Sequence, residues 1–107
     1  MVLWAELEYA DGDHLKKFYN EEHFPLLGKV PGYRRGVRYK IGPDSPLMLS
    51  KPATYLAIHE WDAKHGMERT PEMDAVTQTE WTKRVMSDVK FSVIRTFELI
   101  KAVGYDR

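Results

Sequence analysis

Between Phe18 and Tyr39 the chain changes periodicity once, and that change limits the folds open to it. Leu15, Phe18, Tyr19, Leu26, Leu27 and Val30 recur near helical spacing and form an apolar stripe that must pack against something. Pro25 interrupts the stripe, because it has no N–H and disfavours helical geometry at Phe24. The pattern predicts a helix from Asp13 to Glu22 and a shorter helical turn from Pro25 to Lys29, with proline at its favoured first position. Pro31-Gly32 closes that segment, and a strand is predicted from Tyr33 to Ile41. Strict alternation would put Tyr33, Arg35, Val37, Tyr39 and Ile41 on one face, and Arg34, Gly36, Arg38 and Lys40 on the other.

The flanking segments complete a pattern. Val2 to Tyr9 alternates in part and carries Val, Leu, Trp and Tyr, which suits a half-buried strand. Asp11-Gly12-Asp13 supplies a turn and a carboxylate to cap the helix after it. Gly42 to Pro52 reads as a mobile loop, a lid or merely a long connection. Ala53 to Trp61 is the clearest strand, bulky on both faces, so both should be covered. Thr70 and Pro71 open a second helical region whose apolar positions are Met73, Val76, Trp81, Val85 and Met86, loosened at Thr77-Gln78-Thr79. Val89 to Ile100 alternates again as a last strand.

The order βαββαβ makes an α+β fold of the ferredoxin-like kind: a four-stranded antiparallel sheet with both helical regions on one face. One domain over residues 1–107 accounts for the whole chain. The second sheet face would then expose large side chains from every strand, more apolar surface than water tolerates. Two sheets packed face to face would hide it, so a homodimer is expected.

Sixteen basic residues balance sixteen acidic ones, and the aromatics are not interleaved with a basic run, which argues against a nucleic-acid partner. No apolar run approaches a membrane span, and the first residues lack the basic start and long apolar region of a signal peptide; a cytosolic location is expected. Without cysteine there are no disulfides, thiolate nucleophiles or thiolate metal sites. No histidine pair stands at HxH or HxxxH spacing, and Gly28, Gly32 and Gly36 follow no phosphate-loop pattern, so neither a metal nor a cofactor is expected.

Chemistry is concentrated in a few side chains. His23 follows Tyr19 by four residues, so on a helix the two share a face; histidine moves protons near neutral pH, and tyrosine can hold an enolate or phenolate oxygen. The competing reading makes His23 a cap for the broken helix end. Arg35, Arg38 and Tyr39 come from the next strand. An arginine among apolar strand positions needs a partner, either a substrate carboxylate or an internal Glu6, Glu60 or Glu98; for Arg35 the internal salt bridge is favoured. His59 shares a strand face with Tyr55 and Trp61, a wall for an aromatic ligand or a satisfied core histidine. Trp81, near the break in the second helical region, is the best lid contact, while His14 and His65 sit beside turns and should be exposed.

In Tyr19-Asn20-Glu21-Glu22-His23-Phe24-Pro25-Leu26, Lys29-Val30-Pro31-Gly32-Tyr33-Arg34-Arg35-Gly36-Val37-Arg38-Tyr39-Lys40, Tyr55-Leu56-Ala57-Ile58-His59-Glu60-Trp61-Asp62 and Arg95-Thr96-Phe97-Glu98-Leu99, the chain resembles the EthD-like group of the dimeric α+β barrel superfamily. It also resembles the second half of longer fungal proteins carrying two such units. The resemblance implies a small dimer whose two sheets close into a barrel, with a ligand cavity between each sheet and its helices. It implies hydrophobic aromatic substrates, including polyketide intermediates that relatives cyclise or decarboxylate. His23 with Pro25 matches the histidine motif most often suspected of function there.

The resulting expectation is a cofactor-independent enzyme, of cyclase, dehydratase or decarboxylase type, moving a proton next to a carbonyl of a small hydrophobic aromatic or polyketide-like molecule. His23 would be the general acid or base, Tyr19 and Tyr39 would hold the oxyanion, Arg35 or Arg38 would bind a carboxylate, and His59, Trp61 and Trp81 would shape the cavity. The competitors are a protein that binds such a molecule unchanged, a cofactor-free monooxygenase, and a structural dimer with a filled barrel.

Overall fold

Alternating burial along the first strand sets the layering: Ala5, Leu7 and Tyr9 are buried, while Trp4, Glu6 and Glu8 between them are only partly covered. A computed structural model describes residues 1–46, 52–62 and 69–104. His65 and positions 47–51 of the expected loop lie outside the described residues. The strands are β1 (Val2–Glu8), β2 (Tyr33–Lys40), β3 (Tyr55–Trp61) and β4 (Phe91–Phe97). They form one antiparallel sheet in the order β2-β3-β1-β4, the ferredoxin-like arrangement.

The helices follow their caps. In α1 (Gly12–Phe18) the Asp11 carboxylate accepts from His14 N–H. The Thr70 hydroxyl accepts from Met73 N–H at the head of α3 (Pro71–Thr77), and Thr79 does the same for Thr82 at the head of α4 (Glu80–Asp88). The loosening at Thr77-Gln78-Thr79 is therefore a break between two capped helices.

The expected break before Pro25 takes another form. Between α1 and α2 (Phe24–Leu27) the chain stays helical but widens into a π-turn over Tyr19–His23, with Phe24 N–H bonding Tyr19 C=O. One extra residue in the turn lets the chain pass a proline that cannot donate, and Phe24 keeps helical angles instead of leaving the helix.

The core lies between the helices and one sheet face, in two neighbouring clusters. Leu15, Phe18, Tyr19, Ala57 and Val85 build the first; Leu27, Val30, Trp61, Met73 and Val76 build the second, and Phe24 packs against both. The other sheet face carries Trp4, Val37, Ile58, Phe91, Val93 and Phe97, of which Val37 is 41% and Phe97 48% exposed. Among the described residues, no helix is long and apolar enough to cross a membrane.

A buried histidine pair as the candidate functional site

The site begins with a break in register. Tyr33 pairs with Trp61 and Arg35 with Glu60, so Arg34 is an extra residue and β2 is bulged there. The bulge corrects the strict alternation of the sequence reading: Tyr33 joins Gly36 and Arg38 on the helix-facing side, while Arg35, Val37 and Tyr39 occupy the open side. There the Tyr33 hydroxyl lies 3.0 Å from His59 Nδ1. Gly36 makes the room, because a Cβ at that position would run into the Tyr33 hydroxyl and lie 2.7 Å from Phe24 Cε1 and 3.1 Å from His59 Nδ1.

The π-turn brings the second histidine to the first. His23 stacks within 5.0 Å, centroid to centroid, of both Phe18 and Tyr19, and its ring is 6.0 Å from His59. Among the described residues its Nδ1 is buried without a hydrogen-bond partner, and neither helical end beside it has a side-chain cap bond, which removes the helix-end cap as its role. Burial lowers the pKa of each imidazole to about 4, and at His23 the neighbouring His59 adds to the effect. Both rings are thus neutral at pH 7. Burial, and then Tyr19, raises Tyr33 to about 12, so its phenol stays protonated. Phe24, 5.8 Å from His59 and 5.3 Å from Tyr19, closes the cluster on one side, and Trp61, 6.2 Å from His59, closes it on another.

Of the expected site residues, the fold brings together His23, Tyr19, His59, Trp61 and Arg38. Arg38 lies over the Tyr19 ring at 4.4 Å. Three others are placed elsewhere. Arg35 is on the open face, bonded to Glu60 at 2.8 Å, the internal salt bridge that its sequence context favoured. Tyr39, 54% exposed, falls in the same open-face row and is not beside His23. Trp81 donates from Nε1 to His14 Nε2 at 2.8 Å and lines a separate groove with Asp11, Lys17 and Arg84, one ring removed from His23 through Phe18. His14 is consequently half-buried rather than free beside its turn. Period-two reading missed Tyr33, since a bulge leaves no mark in hydrophobic pattern, and it missed Phe24 and Gly36, whose importance is purely spatial. Among the described residues, no three histidine, aspartate or glutamate side chains are grouped to hold a metal ion.

No protein-family model matches the chain, and no curated protein is similar to it in sequence. Among solved structures, the chain is similar to HapK from Hahella chejuensis, with a TM-score of 0.52 at 11% identity over 99% of this chain and 100% of that one. It is also similar to an EthD family protein from Bacillus halodurans C-125, with a TM-score of 0.47 at 18% identity over 91% of this chain and 97% of that one. What the likeness to HapK establishes is architecture: the chain has the α+β ferredoxin-like fold in the arrangement seen there.

Proposed function

We propose that the protein is a cofactor-independent enzyme that moves a proton on a small, hydrophobic, oxygenated aromatic molecule, and that it acts as a homodimer closed across the open sheet faces. One observation carries the catalytic reading: the unpartnered Nδ1 of His23, buried 6.0 Å ring to ring from a histidine already held by Tyr33. A buried polar atom without a partner costs roughly 1–3 kcal/mol, a cost that a ligand group bonded to it would remove.

Both imidazoles are neutral; the one lone pair of His59 is open to a substrate at Nε2 in the tautomer whose Nδ1–H donates to the Tyr33 oxygen, which also leaves the Tyr33 O–H free to donate. In the proposed step His23 takes a proton from the carbon next to a carbonyl, leaving an enolate whose oxygen accepts hydrogen bonds from the phenols of Tyr33 or Tyr19. The same proton is then returned to carbon, giving isomerisation, to the alkoxide formed when the enolate carbon attacks a second carbonyl of the molecule, giving cyclisation, or to a departing hydroxyl, giving dehydration, all without a redox partner. Burial alone makes these imidazoles weak bases, and negative charge developing on the substrate beside them strengthens them as the reaction proceeds.

Native mass spectrometry of protein purified from a host expressing its own pathway would read subunit count and retained small molecules together. The expected result is a dimer holding an aromatic molecule that wild-type protein converts and His23→Ala does not. Full turnover by His23→Ala would overturn the assignment. Retention without conversion would make the protein a carrier, and oxygen consumption would make it a monooxygenase.

A further inference from the structure

Beside β2, a groove of about 400 Å³ is lined by Lys16 and Asn20 from the first helical region, Phe24, Arg38 and Lys40 from β2, and Tyr55 from β3. Three cations meet there against one carboxylate, Asp13, and among the described residues none of the three forms an ion pair. Arg38 is the unusual member. Its guanidinium is half-buried, 4.4 Å from the Tyr19 ring centroid and 5.8 Å from that of Tyr55. Stacking occupies the face of a guanidinium and leaves its N–H groups, which lie in the plane, in need of an acceptor. Water can supply one, but a planar carboxylate matches the fork with two parallel bonds.

The walls carry the rest of the ligand. Phe24 and Tyr55 present aromatic surface, and Tyr55 approaches so closely at Gly12 that a Cβ there would collide with its hydroxyl. Phe24 belongs at once to this groove and to the histidine cluster, 5.8 Å from His59.

We propose that this groove is the entrance to the histidine site and that it takes an aromatic carboxylate, the ring between Phe24 and Tyr55 and the carboxylate on the Arg38 guanidinium, with Phe24 swinging aside to admit the reacting end. The proposal rests on the proton-transfer reading for what happens beyond Phe24, while the binding step stands independently. Lys16 and Lys40 supply long-range attraction, so binding weakens as salt is raised.

The test is titration of the folded protein with 1-naphthoate and with neutral 1-naphthalenemethanol, followed by calorimetry and by the histidine ring resonances in NMR. Wild type is expected to bind naphthoate more tightly than the alcohol, with the His59 signals shifting. Arg38→Met keeps side-chain bulk over Tyr19 and should weaken naphthoate about tenfold or more, as loss of a charge-assisted hydrogen-bond pair implies. It should leave the alcohol unchanged. Lys40→Met, at an exposed position, should weaken naphthoate by a smaller factor and cover the case in which Arg38→Met does not fold. Equal naphthoate affinity in wild type and both variants, or no saturable binding at millimolar concentration, overturns the anion site; unmoved His59 signals overturn the entrance. His23→Ala keeps every groove charge and should keep the preference for naphthoate over the alcohol and its salt dependence, so loss of turnover there speaks only to proton transfer, and loss of that preference in Arg38→Met only to the groove.

Discussion

The Tyr33 hydroxyl reaches His59 Nδ1 at 3.0 Å because β2 carries one residue more than β3 at Arg34. Without that bulge Tyr33 would sit on the opposite face of the sheet, and His59 would be a buried imidazole with no phenol beside it. Gly36 is the other half of the arrangement, since no larger residue leaves space for the pair under Phe24.

Gly36→Ala should therefore disturb function and stability together. The added methyl must push aside the Tyr33 hydroxyl, Phe24 and His59, and overpacking of this kind costs roughly 1–3 kcal/mol. A lowered urea midpoint with an unchanged slope, and a displaced His59 ring resonance, are the expected readouts.

His23→Phe should separate activity from stability. The replacement keeps an aromatic ring against Phe18 and Tyr19 and removes the buried nitrogen that lacks a partner. Denaturant unfolding should show a gain of about 1 kcal/mol, while turnover falls by about a hundredfold or more.

Acid should destabilise the fold through the histidines. His59 titrates near 6.5 when unfolded and at about 4 when folded, so below pH 6.5 the unfolded state binds the extra proton and stability falls until the pH passes 4. The shift is worth about 3 kcal/mol for a residue only 3% exposed. His23 acts in the same direction. Urea midpoints followed from pH 7 to pH 4 should drop more steeply for wild type than for His59→Gln, and parallel curves would remove His59 as the cause.

Thr79 ties the second helical region to the π-turn. Its hydroxyl caps Thr82 N–H at 3.0 Å and bonds the Glu22 carboxylate at 2.8 Å, one residue before His23. Thr79→Ala should cost about 1 kcal/mol or somewhat more, and Thr79→Ser should restore most of it, as measured by thermal unfolding.

Charge placed on the open sheet face should abolish the proposed dimer. Phe97→Lys puts an ammonium on an apolar surface that already includes Trp4, whose ring packs edge-on against Phe97 at 6.2 Å. Sedimentation equilibrium should return twice the chain mass for wild type and the chain mass for the variant; a wild-type monomer would remove dimerisation from the proposal.

The alternation of β1, the caps at Asp11 and Thr70, and the strand and helix order were all legible in the amino-acid sequence, whereas Thr79 was read only as part of a loosening and its cap appeared with the structure. Each legible feature depends on residues within one turn or one pleat of each other, where spacing alone sets the geometry. His23, Tyr19, Arg38, His59 and Trp61 could be named as candidates because their side chains are chemically capable wherever they stand. Their assembly was decided by tertiary structure. Which face Tyr33 takes depends on a bulge recorded only in the pairing of β2 with β3, and the path past Pro25 was settled by a π-turn that keeps Phe24 over the core. The distance between His23 and His59 depends on how the first helical region lies across the sheet, a matter of packed volume among residues far apart in the chain, which no local pattern encodes.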